Sequence, residues 1–210
     1  MDGKTRTATC TDCHVLACRD REKAFPAGCL TAGLDPELLA RSLDCYRGQD
    51  IDARVGRAAA EVVAQSRGTF TRVQEIIAFA RSFGAKKIGL AACMALIREA
   101  QCFARLVRDA GLVPYGVVCK IGATDKSVVG YPDRFKTSGQ GYEGLCNPAL
   151  QATLLNREKT DLNVVIGLCV GHDTIFFRHS EAPVTTLVTK DRALQHNPVL
   201  ALHGASDASR

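Results

Sequence analysis

Residues 86–122 read KKIGLAACMALIREAQCFARLVRDAGLVPYGVVCKIG, and this stretch decides the fold. KKIGLAAC is a short apolar run of strand length that ends in a cysteine, Cys93. In MALIREAQCFARLVRDAG, the apolar residues Leu96, Ile97, Ala100, Phe103, Ala104 and Val107 recur at helical spacing, and Gly111 stops the helix. LVPYGVVCKIG is a second apolar run, ending at Cys119. A strand, a helix and a strand make a βαβ unit, which demands parallel strands joined by a right-handed crossover.

The pattern extends in both directions. Upstream, DIDARVGRAAAEVVAQSR places Val55, Ala59, Val62 and Val63 on one helical face. TRVQEIIAFARSFG is a second helix, with Thr71 as cap, Gln74 in the capping-box position and Gly84 as its stop. These two helices are expected to cover one face of the sheet. Downstream, NPALQATLLNREKT reads as a helix, NVVIGLC as a third strand, GHDTIFFRHS as a short helix or turn, and VTTLVTKDR as a fourth strand. Between the second strand and its helix, GATDKSVVGYPDRFKTSGQGYEGL is polar and Gly-rich, and is expected to be a long, mobile functional loop. The tail HGASDASR is expected to fray. The fold expected is α/β: a parallel four-stranded Rossmann- or flavodoxin-like sheet with helices on both faces, over residues 49–210. A small cysteine-rich metal module over residues 1–48 precedes it.

Three strands end alike, in GLAAC at Cys93, GVVCK at Cys119 and IGLCVG at Cys169. In a parallel sheet the carboxyl ends of the strands line one edge, where ligands bind. Cys146, in GLCNP at the start of a helix, is the natural fourth member. Cys93 and Cys146 stand at helix N-termini, where the dipole favours thiolate over thiol. A single cysteine is more often a small buried hydrophobe than a ligand. Four at matching topological positions point to one metal or cluster site. Cys169 is the firmest of the four, whereas Cys146, following a flexible loop, is the one a cluster could lose. Cys102, in the middle of a helix, reads as core packing.

The N-terminal region holds Cys10, Cys13, Cys18, Cys29 and Cys45. The first four form a C-x2-C-x4-C-x10-C series, with Cys45 or His14 as possible substitutes for Cys29. A C-x2-C pair lets the backbone curl both sulfurs onto one metal. Nearby cysteines with a remote fourth suit an iron–sulfur cubane, and zinc is the alternative. Apolar residues are sparse here, so ligation would supply much of the folding energy.

Polar groups gather near the strand ends. His172 and Asp173 follow Cys169, Lys120 follows Cys119, and Lys190, Asp191, Arg192 and His196 follow the fourth strand. His172, Arg192 and His196 are the catalytic candidates, as proton carriers and an anion clamp. The plainer roles are helix caps and turns, with Asp173 and the His196-Asn197-Pro198 corner the clearest instances.

Composition bounds the rest. Hydrophobic residues are 46% and charged residues 23% of the 210, which excludes disorder. No apolar run is long enough to span a bilayer. MDGKTRTATCTDC lacks the apolar stretch of a secretory signal, so ten cysteines are expected in the reducing cytoplasm. The net charge of +5 is scattered, without a basic stripe interleaved with aromatics, and no nucleic-acid partner is expected.

TRVQEIIAFA, IGLAAC with its helix, IGLCVGHD, APVTTLVTKDR and HNP together resemble an uncharacterised prokaryotic family of small cysteine-rich proteins, described as metal-binding with a domain of unknown function. The resemblance runs from the first cysteines to HNP and implies metal binding. More loosely, the strand-end cysteines look like those of iron–sulfur desulfidases, in which three thiolates hold a cubane and leave one iron open. A fourth core cysteine departs from that pattern, because it could close the cluster. The function expected is therefore an iron–sulfur enzyme, carrying [4Fe–4S], that acts on a small-molecule substrate as a desulfidase, reductase or lyase. The alternatives are an electron-transfer protein with two closed clusters and a redox partner protein, or a zinc-stabilised sensor. A homo-oligomer is compatible with either.

Overall fold

A computed structural model describes residues 9–19 and 21–207. The chain divides into two compact units, Met1–Arg57 and Ala58–Arg210. The first contains helix α1, Pro36–Asp44, which starts where the sequence places it: Asp35 accepts the Glu37 amide at 2.9 Å and Pro36 occupies the first turn. Helix α2, Ile51–Ser66, runs across the division between the units.

The second unit is built on four parallel strands: β1 Lys87–Ala92, β2 Val113–Val118, β3 Leu162–Ile166 and β4 Val184–Val188. Among the described residues they form one sheet in the order β2-β1-β3-β4. Helix α4, Ile97–Asp109, connects β1 to β2 on one side, and α5, Pro148–Arg157, carries the chain back past β1 to β3. Because both crossovers are right-handed and run in opposite directions, α4 and α5 cover opposite faces. Helix α6, His172–His179, packs beside α5 and leads to β4. The α/β class and parallel four-stranded sheet expected from residues 86–122 are thus present.

β1 and β3 lie inside the sheet, and burial explains their unbroken apolar sequence: Ile88 to Ala92 and all of β3 are buried. β2 is an edge strand, and Val113 and Tyr115 are exposed. Leu96, Ala100, Phe103 and Val107 pack inward from the α4 side, while Ala152, Leu155 and Phe176 do so from α5 and α6. Cys102 is exposed, contrary to the packing role expected, because it falls on the outer face of α4.

Helix α3, Arg72–Phe83, has the expected capping box, with the Thr71 amide donating to Gln74 at 2.8 Å, and ends at Gly84 with φ 82°. Arg72 ties α3 to β4, donating to Thr185 Oγ1 at 2.8 Å and the Thr186 carbonyl at 3.2 Å. α2 meets α3 through a Glu61–Ser82 hydrogen bond. Two expectations need correction. Of the tail HGASDASR, expected to fray, residues 203–207 belong to helix α7, Val199–Asp207, and the last three lie outside the described residues. The segment after β2 is also ordered, for reasons that belong to the site.

One polar cluster lies inside the core. Asn163 of β3 is fully buried, accepts from Thr160 Oγ1 at 2.7 Å and donates to Ser180 Oγ at 2.8 Å. It fills the space that a side chain at Gly89 would need: a Cβ there would collide with Asn163 Oδ1 and stand 2.9 Å from Leu155. Both neighbours are held, so neither can give way. Gly89→Ala is expected to lower stability by about 2 kcal/mol, within the usual cost of overpacking, as read from urea denaturation. A variant as stable as the parent would show that this packing is looser than it looks.

Candidate functional site

The strand ends are aligned by register. Ala92 pairs with Val118 on one side and Ile166 on the other, and Ile166 pairs with Val188. The next residues continue the ladder: Cys93 N donates to Ile166 O at 2.9 Å, and Cys119 N to Ala92 O at 2.8 Å. Cys93 and Cys119 therefore leave adjacent strands side by side. The strand order reverses on the other side of β1, between β1 and β3, the place at which a sheet of this topology opens a crevice.

Beneath them lies Gln151 of α5, wholly buried, whose Nε2 donates to the carbonyls of Ala92 at 3.2 Å and Val117 at 2.7 Å. It binds the ends of β1 and β2 together from below. Among the described residues its Oε1 has no hydrogen-bond partner, an arrangement that costs on the order of 1–3 kcal/mol. Sequence reading missed this residue, because a Gln in an ordinary amphipathic helix gives no signal of where it points.

Cys146 reaches the same point by a longer route. The chain leaves the sheet at Cys119 and returns at Cys146, where Asn147 N donates to Cys119 O at 2.8 Å. Asn147 then caps α5 by accepting the Leu150 amide at 2.9 Å. The excursion was expected to be a mobile lid, but it is internally braced. Asp125 accepts from Ser127 N at 2.8 Å and Glu143 N at 2.7 Å. Glu143 bonds Lys126 at 2.6 Å and both the amide and hydroxyl of Thr137 at 2.6 Å. Lys136 donates to Gly141 O at 2.6 Å and pairs with Asp133 at 2.9 Å. Lys120 donates to Gly144 O.

Three thiols meet at this rim. Cys119 lies in the middle, with its sulfur 3.9 Å from that of Cys146 and Cys93 beside it at the same level of the adjacent strand. Met94 N also points at the Cys119 sulfur, at 3.3 Å. Hydrogen bonding with Cys146 and then Cys93, and after these its burial, push the Cys119 pKa far up. Cys146 is lowered by its bond to Cys119, then by His172 and Lys120. Cys93 is lowered by Cys119, then by the Ala95 amide and Lys190, whose Nζ stands 3.6 Å from the sulfur. The Cys146 thiolate in turn raises the His172 pKa.

The fourth strand-end thiol has a different partner. Two residues, Gly167 and Leu168, separate Cys169 from β3, and Arg192 Nη2 donates to its sulfur at 3.2 Å. With β1 lying between β2 and β3, Cys119 and Cys169 leave strands that are not neighbours. Cys146 thus lies against Cys119, while Cys169 stands with Arg192. His196 takes a structural position. Its Nδ1 accepts the Asp191 amide at 3.0 Å and its own amide donates to Asp191 O at 2.8 Å, which closes the turn that carries Lys190 and Arg192.

Among the described residues, no three His, Cys, Asp or Glu side chains surround one point as a single metal ion requires. In the N-terminal unit, Cys10, Cys13, His14, Cys18 and Cys29 line one cavity of about 300 Å³, to which Cys45 does not contribute. Amide groups of Ala32 and Thr31 lower the Cys29 pKa. No helix among the described residues is long and apolar enough to cross a membrane.

Residues 29–187 match the family described as protein of unknown function DUF1847. The chain belongs to that family. It is also 42% identical over 176 residues to an uncharacterised protein of Methanocaldococcus jannaschii, covering 76% of this chain and 89% of that one. No solved structure matches. The DUF1847 match takes in Cys93, Cys119, Cys146, Cys169 and His172, while Cys10, Cys13, Cys18, Arg192 and His196 lie outside it.

The braces of the loop predict its response to acid. Lys126, and then Thr137, hold the Glu143 carboxyl down at about 2, and Ser127, the Glu143 amide and Lys136 hold Asp125 low as well. A carboxylate depressed in the folded state stabilises above its unfolded pKa, roughly 4.3 for Glu, and this support is lost as pH falls through the folded value. Hydrogen-exchange protection in residues 123–145 should therefore fall as pH drops from about 4.5 towards 2, relative to β1 and β3. Glu143→Gln should reproduce the loss at neutral pH. Equal protection in parent and variant would show that other contacts hold the loop.

Proposed function

We propose that this protein binds an iron–sulfur cluster of the [4Fe–4S] kind at the carboxyl edge of its sheet and acts as an enzyme on a small anionic molecule, as a desulfidase, reductase or lyase. The observation that carries this reading is the string Cys93–Cys119–Cys146, with Lys190 against one end and Lys120 and His172 against the other. Soft thiolate sulfurs are the donors that iron–sulfur clusters and zinc take. Fixed cations around the string would offset the negative charge of a thiolate-bound cluster. The spacing needs adjustment: the thiolates of a cubane stand roughly 6–7 Å apart, so side-chain rotation must spread Cys119 and Cys146 from 3.9 Å.

When bound through three protein thiolates, such a cluster supplies one iron able to act as a Lewis acid. The protein's own groups do the rest. His172 can hold a proton beside Cys146, Arg192 and Lys190 can clamp an anion at the rim, and the buried ends of β1 and β3 exclude water from below. His196 serves by keeping the Lys190–Arg192 turn closed. Cys10, Cys13, Cys18 and Cys29 are proposed to hold a second, structural metal, either a cluster or zinc. A cavity of about 300 Å³ favours the larger group. Electron transfer between two closed clusters and a redox partner is the second reading. The braced loop favours it, since a carrier needs no mobile lid.

Anaerobic purification should give a broad absorption band near ~400 nm with several irons and sulfides per chain. Zinc alone, without iron, would overturn the cluster. Cys146→Ser should lose the core share of the iron while Cys169→Ser keeps it. Equal loss in both would mean four thiolate ligands and the electron-transfer reading. Replacing Cys10 and Cys13 with Ser should make the segment before residue 48 protease-sensitive and leave the α/β core folded. Unchanged resistance in that double variant would remove the N-terminal metal from the account.

A further inference from the structure

The string of thiols supports a chemistry of its own, independent of any metal. The three sulfurs differ in access. Cys119 is 3% exposed and Cys93 7%, whereas Cys146 is only half-buried at the rim. A reagent from solution can therefore reach Cys146 and not the other two. The sulfur in contact with Cys146 is that of Cys119, at 3.9 Å. The backbones beside the pair are joined as well, by the 2.8 Å bond from Asn147 N to Cys119 O. A disulfide needs two close α-carbons and sulfurs that a rotation about χ1 can bring together.

We propose that Cys119 and Cys146 are a dithiol–disulfide couple that reacts with low-molecular-weight disulfides, Cys146 as the attacking thiol and Cys119 as the resolving one. In the first step the Cys146 sulfur attacks one sulfur of the small disulfide. A mixed disulfide forms on Cys146, the small S–S bond breaks, and one small thiol leaves. In the second step the Cys119 sulfur attacks that of Cys146, releasing a second small thiol and closing the protein disulfide. The two cysteine sulfurs lose two electrons and two protons in total, and the small disulfide gains them as two thiols. Cys119, shielded from solvent, reacts only once its neighbour carries the leaving group. Lys120 and Asn147 hold the two ends of the 120–145 excursion in place while this occurs.

The couple draws on two of the sulfurs proposed for the cluster, so disulfide and cluster exclude one another. Oxidation of the metal-free protein would close the site to iron until a thiol reopened it.

The test uses the full-length chain, reduced, freed of metal with a chelator, and treated anaerobically with oxidised glutathione. After alkylation and tryptic digestion, residues 109–120 and 137–157 should be recovered as one cross-linked peptide that reductant separates. Cys119→Ser should leave glutathione stably attached to Cys146, and Cys93→Ser should still form the cross-link, with circular dichroism confirming the fold of both. Stable glutathione on Cys146 in the parent, a Cys93–Cys119 link in its place, or reaction only at exposed thiols such as Cys102 would each overturn the proposal. Iron content, measured before chelation, judges the cluster separately: a chain that never holds iron yet forms the cross-link keeps the couple and loses the cluster.

Discussion

Two backbone hydrogen bonds, Cys93 N to Ile166 O at 2.9 Å and Cys119 N to Ala92 O at 2.8 Å, extend the sheet by one residue past the ends of β1 and β2. Everything at the rim depends on that extension. Neighbouring strands lie about 4.8 Å apart, so two cysteines at the same register level on adjacent strands are brought within side-chain reach without any loop to position them. Gln151 secures the level from below by bonding the last carbonyl of β1, that of Ala92, and the next-to-last of β2, that of Val117. A sheet slipped by one residue would turn both thiols to the opposite face.

The charges around the rim are arranged unevenly. The nearby carboxylates are occupied by local amides: Asp191 accepts from Ala193 and Leu194, and Asp173 from Gly171 and Thr174. Glu143 and Asp125 are committed to bracing the loop. The cations Lys190 and Arg192, by contrast, end on sulfur. Carboxylates thus build the scaffold and basic groups face the thiols, an arrangement that favours thiolate over thiol and attracts anions.

The loop after β2 illustrates how ordering can come from charge and amide bonding in place of an apolar core. Val128, Tyr131, Phe135 and Tyr142 are all exposed. Buried or half-buried Lys126, Lys136, Asp125 and Glu143 bridge distant parts of the loop and fix where it returns. The Cys119–Cys146 contact is a product of that bracing as much as of the sheet.

Sequence alone determined the α/β class, the order of strands and helices along residues 72–188, and the presence of a cysteine at or just after three strand ends. Local physics suffices for these: apolar runs, helical spacing, the Thr71–Gln74 box and the Gly84 stop are written in neighbouring residues. It did not determine the lateral order β2-β1-β3-β4, because long crossovers leave the choice of neighbour to packing. That order alone decides that Cys93 lies beside Cys119 and that β1 separates Cys119 from the strand leading to Cys169. Only tertiary structure likewise braced the Gly-rich loop, turned Cys102 outward and placed Gln151 under the strand ends, since each rests on contacts between residues far apart in the chain. His172 and Arg192 were legible as charges near strand ends. Their partners, the sulfurs of Cys146 and Cys169, were not, because a side chain's neighbour across a crevice is set by how the elements pack.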